Sequence, residues 1–135
     1  MTWIWQKEKP QPKTIICNVL GELLLEVNAR DLFGTKDLAG KDLSHAMLRG
    51  QSLFEADLHN VNLFGADLRG CSFVRADLRD ANLAYALIDG ADFSEADLDG
   101  IDLLHTNVRR AKFDGVIVSE RSTIPGWHAV RRRKW

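Results

Sequence analysis

Cysteine is scarce: Cys17 and Cys71 are the only two in 135 residues. That is too few for a disulfide scaffold and points to a reducing compartment. No apolar run approaches the roughly eighteen residues that a membrane-spanning helix needs. The opening from Met1 to Pro12 is polar apart from Trp3, Ile4 and Trp5, so it does not read as a secretory signal, and a cytoplasmic protein is expected. A strong net charge is also missing. At −1 the chain has no global steering towards nucleic acid or acidic partners. Catalytic signatures are absent as well: there is no Ser-His-Asp set, no phosphate-cradling glycine loop and no coupled acid pair. The four histidines, at 45, 59, 105 and 128, lack metal-ligand spacing. The expectation is a protein that is not an enzyme, with no cofactor, no metal, no small-molecule substrate and no membrane. With 45% hydrophobic and 27% charged residues, the chain has the composition of a folded domain rather than a disordered one.

What the sequence does have is a period. From Lys41 to Glu120 it divides without a gap into sixteen blocks of five. The third position is large and apolar in all sixteen: Leu43, Leu48, Leu53, Leu58, Leu63, Leu68, Phe73, Leu78, Leu83, Ile88, Phe93, Leu98, Leu103, Val108, Phe113 and Val118. At the overall apolar frequency that register has odds of about one in a few hundred thousand. These sixteen are the expected structural core. The first position is Ala in nine blocks and the second is Asp or Asn in ten. Lys41 and Gln51 break the small inward slot, and Lys36-Asp37-Leu38-Ala39-Gly40 extends the run backward.

Period five suits neither an α-helix, on which it smears around the cylinder, nor a straight strand, on which an odd period alternates faces. The conflict disappears if each block is a short extended piece followed by a corner. First and third residues then point inward, the second points out, and the fourth and fifth turn. Gly at the fifth position of six blocks suits such corners. Phe73, Phe93 and Phe113 recur every twenty residues, as do Gly50, Gly70 and Gly90, which makes one coil of four blocks.

Blocks such as Ala56-Asp57-Leu58-His59-Asn60, Ala66-Asp67-Leu68-Arg69-Gly70 and Ala96-Asp97-Leu98-Asp99-Gly100 resemble the A-(D/N)-L-x-x pattern of the pentapeptide repeat family. The resemblance implies an all-β fold, a right-handed quadrilateral parallel β-helix of about four coils. Met47, Leu87, Lys112 and Ile117 depart from the Asp or Asn expected at the second position. Three parts are expected: residues 1–35 as an N-terminal segment and β-hairpin cap, 36–120 as the repeat helix, and 121–135 as a capping turn and basic tail. Thr14 to Val27 reads as the hairpin, with two apolar runs around Leu20-Gly21-Glu22; the helical spacing of Leu20, Leu23, Leu24 and Val27 is the rival reading. Trp3 and Trp5 are expected to pack on this cap. Ile124-Pro125-Gly126-Trp127 is a turn whose aromatic can seal the last coil, and Arg131 to Lys134 form the tail.

A twenty-residue coil sorts the outward residues into columns. Ser44, Phe64, Ala84 and Leu104 share one, with Tyr85 at its corner; Arg49, Arg69, Asp89 and Arg109 share the next; Asp57, Asp77 and Asp97 line a third. Phe64, Tyr85 and Leu104, flanked by Arg49, Arg69 and Arg109, are the candidate partner-binding residues of a non-catalytic interaction or scaffolding module. The partner would be an unknown protein or a second copy of the chain. The family resemblance implies an alternative, because some of its members mimic B-form DNA and inhibit DNA gyrase. The coil's eight positive against fourteen negative charges, and a height of about 20 Å, fall short of such a long acidic rod. Nucleic-acid contact through the arginine column and the tail is the other alternative, and is disfavoured because the aromatics do not line that column.

Overall fold

The computed structural model describes residues 13–17, 20–21, 23–28 and 37–127. Two strands come first: β1 (Lys13–Cys17) and β2 (Leu23–Asn28). They pair antiparallel, Thr14 opposite Val27 and Ile16 opposite Leu25, with an irregularity between Ile16 and Cys17. The hairpin, not the helix, therefore forms here, and Gly21 in its loop has φ +79°. The backbone N–H of Met47 donates to the Cys17 carbonyl at 2.9 Å, joining the hairpin to the first coil.

From Asp37 onward the chain winds with a period of twenty. Parallel bridges link Asp37 to Asp57, Asp57 to Asp77, Asp77 to Asp97 and Asp97 to Ile117; the other three sides carry equivalent ladders. Each block repeats one bonding scheme. The third-position N–H donates to the second-position carbonyl one coil on, as Leu63 does to Asn82 at 2.7 Å. The fifth-position N–H donates to the next coil's fourth carbonyl, as Tyr85 does to Leu104 at 3.0 Å. The corner closes when the first residue of the next block donates back to the third carbonyl, as Ala66 does to Leu63. With φ near +60° at the fifth position, this is a type II turn. The left-handed backbone is not confined to glycine: His45, Tyr85 and His105 adopt it at +59°, +60° and +58°.

The second-position Asp or Asn has a job in this turn. Its side-chain oxygen accepts the N–H two residues on: Asp67 from Arg69 at 3.2 Å, Asn82 from Ala84 at 3.0 Å, Asp102 from Leu104 at 2.9 Å. That satisfies an N–H that no ladder reaches.

The core lies on the axis. Fifteen of the sixteen third-position residues are buried, and Val118, in the last coil, is half-buried. Phe73, Phe93 and Phe113 stack at 4.9 and 5.1 Å with ring planes 4° and 2° apart. The polar occupants of inward slots are bonded: Thr106 Oγ1 donates to the Leu83 carbonyl at 2.9 Å, and Cys71 Sγ to that of Leu48 at 2.9 Å. Burial pushes the Cys71 thiol up to about 11. Lys41 is exposed and Gln51 half-buried.

The register departs from strict twenty in two places. Gly90 bonds Arg110 rather than Arg109, and the ladder bridge expected between Leu87 and Asn107 is missing. After Glu120 the period slips by one and resumes, with Thr123 bridging Asp102. Ser122-Thr123-Ile124-Pro125-Gly126 is a further block: Ile124 is buried, Gly126 has φ +68°, Trp127 N–H closes the turn on Ile124 at 3.2 Å, and Trp127 packs against the core. The slip is clamped by Arg121, which pairs with Asp80 at 3.0 Å and Asp99 at 2.9 Å. Trp3, Trp5 and the run Arg131 to Lys134 lie outside the described residues. Among the described residues no helix is long and apolar enough to cross a membrane.

Candidate functional site

The type II corner throws its fifth-position side chain outward, and the fourth position lies flat on the face before it. On one corner these two columns interleave. His45 meets Phe64 edge-on at 5.7 Å, Phe64 meets Tyr85 at 5.3 Å, and Tyr85 stacks on His105 at 4.7 Å with 26° between planes. The result is one ladder of four rings spanning the coils. Gly65 makes room for its first rung: a Cβ there would lie 2.7 Å from the His45 ring. Side chains larger than glycine in the left-handed region cost about 1–2 kcal/mol each, a cost His45, Tyr85 and His105 share with Glu55, Asn60, Arg75, Asp80 and Glu95 at the other corners.

The sequence columns placed Phe64, Tyr85 and Leu104 together, and the structure does so as well. All three are exposed, Tyr85 at 54%, whereas Ala84 between them is buried at 5%. The column reading missed the two histidines as rungs, and it missed Met47 and Leu87. These stand two residues past the corner, at second positions where the repeat prefers Asp or Asn, and both are exposed. The signal was present in that departure: an apolar residue at an outward slot has nowhere to bury itself. Met47, Phe64, Tyr85, Leu87 and Leu104 make this corner the largest gathering of exposed hydrophobics among the described residues.

The flanking charges are more compensated than the sequence columns imply. Arg69 forks onto its own block's Asp67, with N–O distances of 2.8 and 2.6 Å, and holds that carboxyl below the usual carboxylate range. Arg79 does the same to Asp77. Arg49 and Arg109 are exposed and form no ion pair among the described residues. On the acidic side, Asp57, His59 and Asp77 lie close enough to supply three ligand atoms within 4.8 Å of one another. The twenty-residue columns placed Asp57 and Asp77 together, but spacing did not add His59, which stands two residues on from Asp57. All three are already engaged: His59 Nδ1 is 2.5 Å from Asp57 Oδ1, and Asp77 is held by Arg79. The group is accounted for by ion pairing, and no metal centre is assigned to it.

A family model described as pentapeptide repeats matches residues 37–70, 56–94 and 91–120, in eight copies. Among solved structures, a pentapeptide repeat protein from Nostoc PCC 7120 is 23% identical, with a TM-score of 0.56 over 71% of this chain and 84% of that one, and shares the fold. A pentapeptide repeat protein of the Arabidopsis thaliana thylakoid lumen is 36% identical over 59% of each chain, with a TM-score of 0.46. Another, from the cyanobacterium Cyanothece 51142, is 27% identical over 64% of this chain and 63% of that one, with a TM-score of 0.38. The matches thus span about three fifths of these last two relatives. No curated protein sequence matches the chain. The repeat register, the twenty-residue ladder and the family match over most of the coil agree: the chain belongs to the pentapeptide repeat family.

Proposed function

We propose that this protein is a non-catalytic interaction module, and that its contact surface is the apolar corner built on His45, Phe64, Tyr85, Leu104, Met47 and Leu87. The observation that carries the reading is the exposed ring ladder. Exposed aromatic and methionine side chains on a rigid frame are the composition of a contact surface. The proposal takes the coil as right-handed with four full turns, the hairpin as its N-terminal cap, the cytoplasm as its location, and Arg49 and Arg109 as charged edges of the contact. It is preferred to DNA mimicry because the second-position carboxylates serve the turns, Arg69 and Arg79 neutralise Asp67 and Asp77, and Arg121 neutralises Asp80 and Asp99 elsewhere on the surface.

The test is a quantitative pull-down comparing the wild type with the Phe64→Asp/Leu104→Asp double variant, with circular dichroism run on both. Loss of a specific partner at an unchanged β signal supports the proposal. An identical set of captured proteins refutes it.

A further inference from the structure

Resting on that interaction reading, we infer that the partner of this face is a second copy of the chain. The two copies are related by a two-fold axis parallel to the stack, lying over the column Ser44–Phe64–Ala84–Leu104. The inference starts from a pairing of residue types in the four blocks that build the face. Where the corner is histidine, at His45 and His105, the second position three residues earlier is aspartate, Asp42 and Asp102. Where the corner is Gly65 or Tyr85, the second position is asparagine, Asn62 and Asn82.

The turn does not require this distinction. Asp42, Asn62, Asn82 and Asp102 all accept the N–H two residues on, at 3.1, 3.1, 3.0 and 2.9 Å. Asp42 Oδ1 also accepts from Asn62 Nδ2 at 3.0 Å, a bond that an asparagine oxygen could accept equally well, and an ion pair within the chain does not require the distinction either. Among the described residues neither imidazole is hydrogen-bonded or ion-paired, and His45 is the smallest of the influences on Asp42. The second position and the corner lie on opposite sides of the fourth-position column, so carboxylate and imidazole occupy opposite edges of one face.

A two-fold axis along the stack sets each coil against the same coil of the copy and exchanges the two edges. Phe64 and Leu104 then meet their own counterparts on the axis. His45 comes opposite Asp42 of the copy, His105 opposite Asp102, and Tyr85 opposite Asn82. Each contact is made twice, as an isologous interface demands. An axis across the stack would instead set Asp42 against Asp102 and His45 against His105, like against like. The charge pattern therefore selects the parallel arrangement.

The face is one block wide and about 19 Å tall, well under the roughly 800 Å² per partner of a standard interface. The dimer is accordingly reversible, with Kd in the range of roughly 10–100 µM.

Sedimentation velocity of the full chain over roughly 5–500 µM brackets that constant and tests the inference. The expected result is a monomer–dimer equilibrium that His45→Glu/His105→Glu weakens at least about tenfold, because carboxylate then meets carboxylate. In a Cys17→Ser background, Ser44→Cys and Leu104→Cys each cross-link to themselves under mild oxidation, and Arg49→Cys does not. A wild type that stays monomeric throughout overturns the inference. So does a Ser44→Cys variant that cross-links only when mixed with Leu104→Cys. If the monomeric wild type still captures a partner that Phe64→Asp/Leu104→Asp loses, the interaction reading survives without the dimer. If it captures none, both fall.

Discussion

A single position in the block decides what a residue is worth. Leu83 is fully buried in a narrow interior with Leu63 and Leu103 in the same slot one coil away on either side, so it has no room to collapse when cut back. Leu83→Ala is expected to cost about 2–5 kcal/mol. Leu104, one residue past an inward slot, is 45% exposed, and Leu104→Ala is expected to cost about 0.5 kcal/mol or less. Equal shifts in urea midpoint for the two variants would contradict the register. Gly65 tests the corner instead. Its φ is +66°, and a methyl there would displace the His45 ring, so Gly65→Ala is expected to cost more than the about 1–2 kcal/mol of the backbone alone and to remove the first rung of the ladder. Gly50, with the same sign of φ and nothing within 4 Å of its added Cβ, gives the backbone cost alone. The difference between the two melting temperatures reports the ring. Cys71 provides a check on burial. With its thiol raised to about 11, it should resist alkylation at pH 8 in the native protein and react on unfolding.

At the scale of the block and its turn, the second-position carboxylates link stability to pH. Asp67 and Asp77 are held below the ordinary value of 3.8, chiefly by Arg69 and Arg79, with the N–H of those residues adding to the effect. A depressed carboxylate contributes stability that is present above its unfolded pKa and lost as pH falls through its folded one. Melting temperature is therefore expected to hold between about pH 7 and pH 5 and to fall below about pH 4. Asp77→Asn keeps the turn acceptor, as Asn62 and Asn82 show, and should flatten part of that fall. A full acid slope in Asp77→Asn would assign the loss to other groups. Legibility divides along the same line. The apolar third position, the small first position and the twenty-residue coil could be read because burial imposes them on every block. The hairpin could be read because Gly21 separates two apolar runs. The ladder's histidines could not be read from spacing within one column, because the ladder crosses between the corner column and the fourth-position column. Nor could the block at Ser122, because Arg121 shifts its frame by one. Its Pro125-Gly126 pair, proline then glycine at the centre of a type II turn, was the remaining clue.

For the whole molecule, stability should be graded rather than uniform, because each coil bonds only to its neighbours. Residues 77–96 are hydrogen-bonded to coils on both sides: Asn82 N–H to Val61 below and Leu83 N–H to Asp102 above, at 2.9 and 2.8 Å. The two ends differ from this middle in kind. At the N-terminal end the described link between hairpin and coil is the Met47–Cys17 hydrogen bond. At the C-terminal end, Ser122 Oγ donates to the Leu98 carbonyl at 2.6 Å and accepts from Gly100 N–H at 3.1 Å, and Arg121 clamps two coils. Exposed ion pairs of this sort contribute little to stability, because solvent screens them. Native-state hydrogen exchange should then show the slowest amides between residues 77 and 96, with protection falling towards Leu43 and towards Ile117. Leu43→Ala should lower protection mainly in the first coil, whereas Leu83→Ala should lower it on both sides. Uniform protection from Leu43 to Ile117, lowered equally by both variants, would show the coils unfolding as one cooperative unit. The nearest-neighbour account would then be wrong, and the parallel phenylalanine stack running from coil to coil through Phe73, Phe93 and Phe113 would be the first element to examine as the source of that cooperativity.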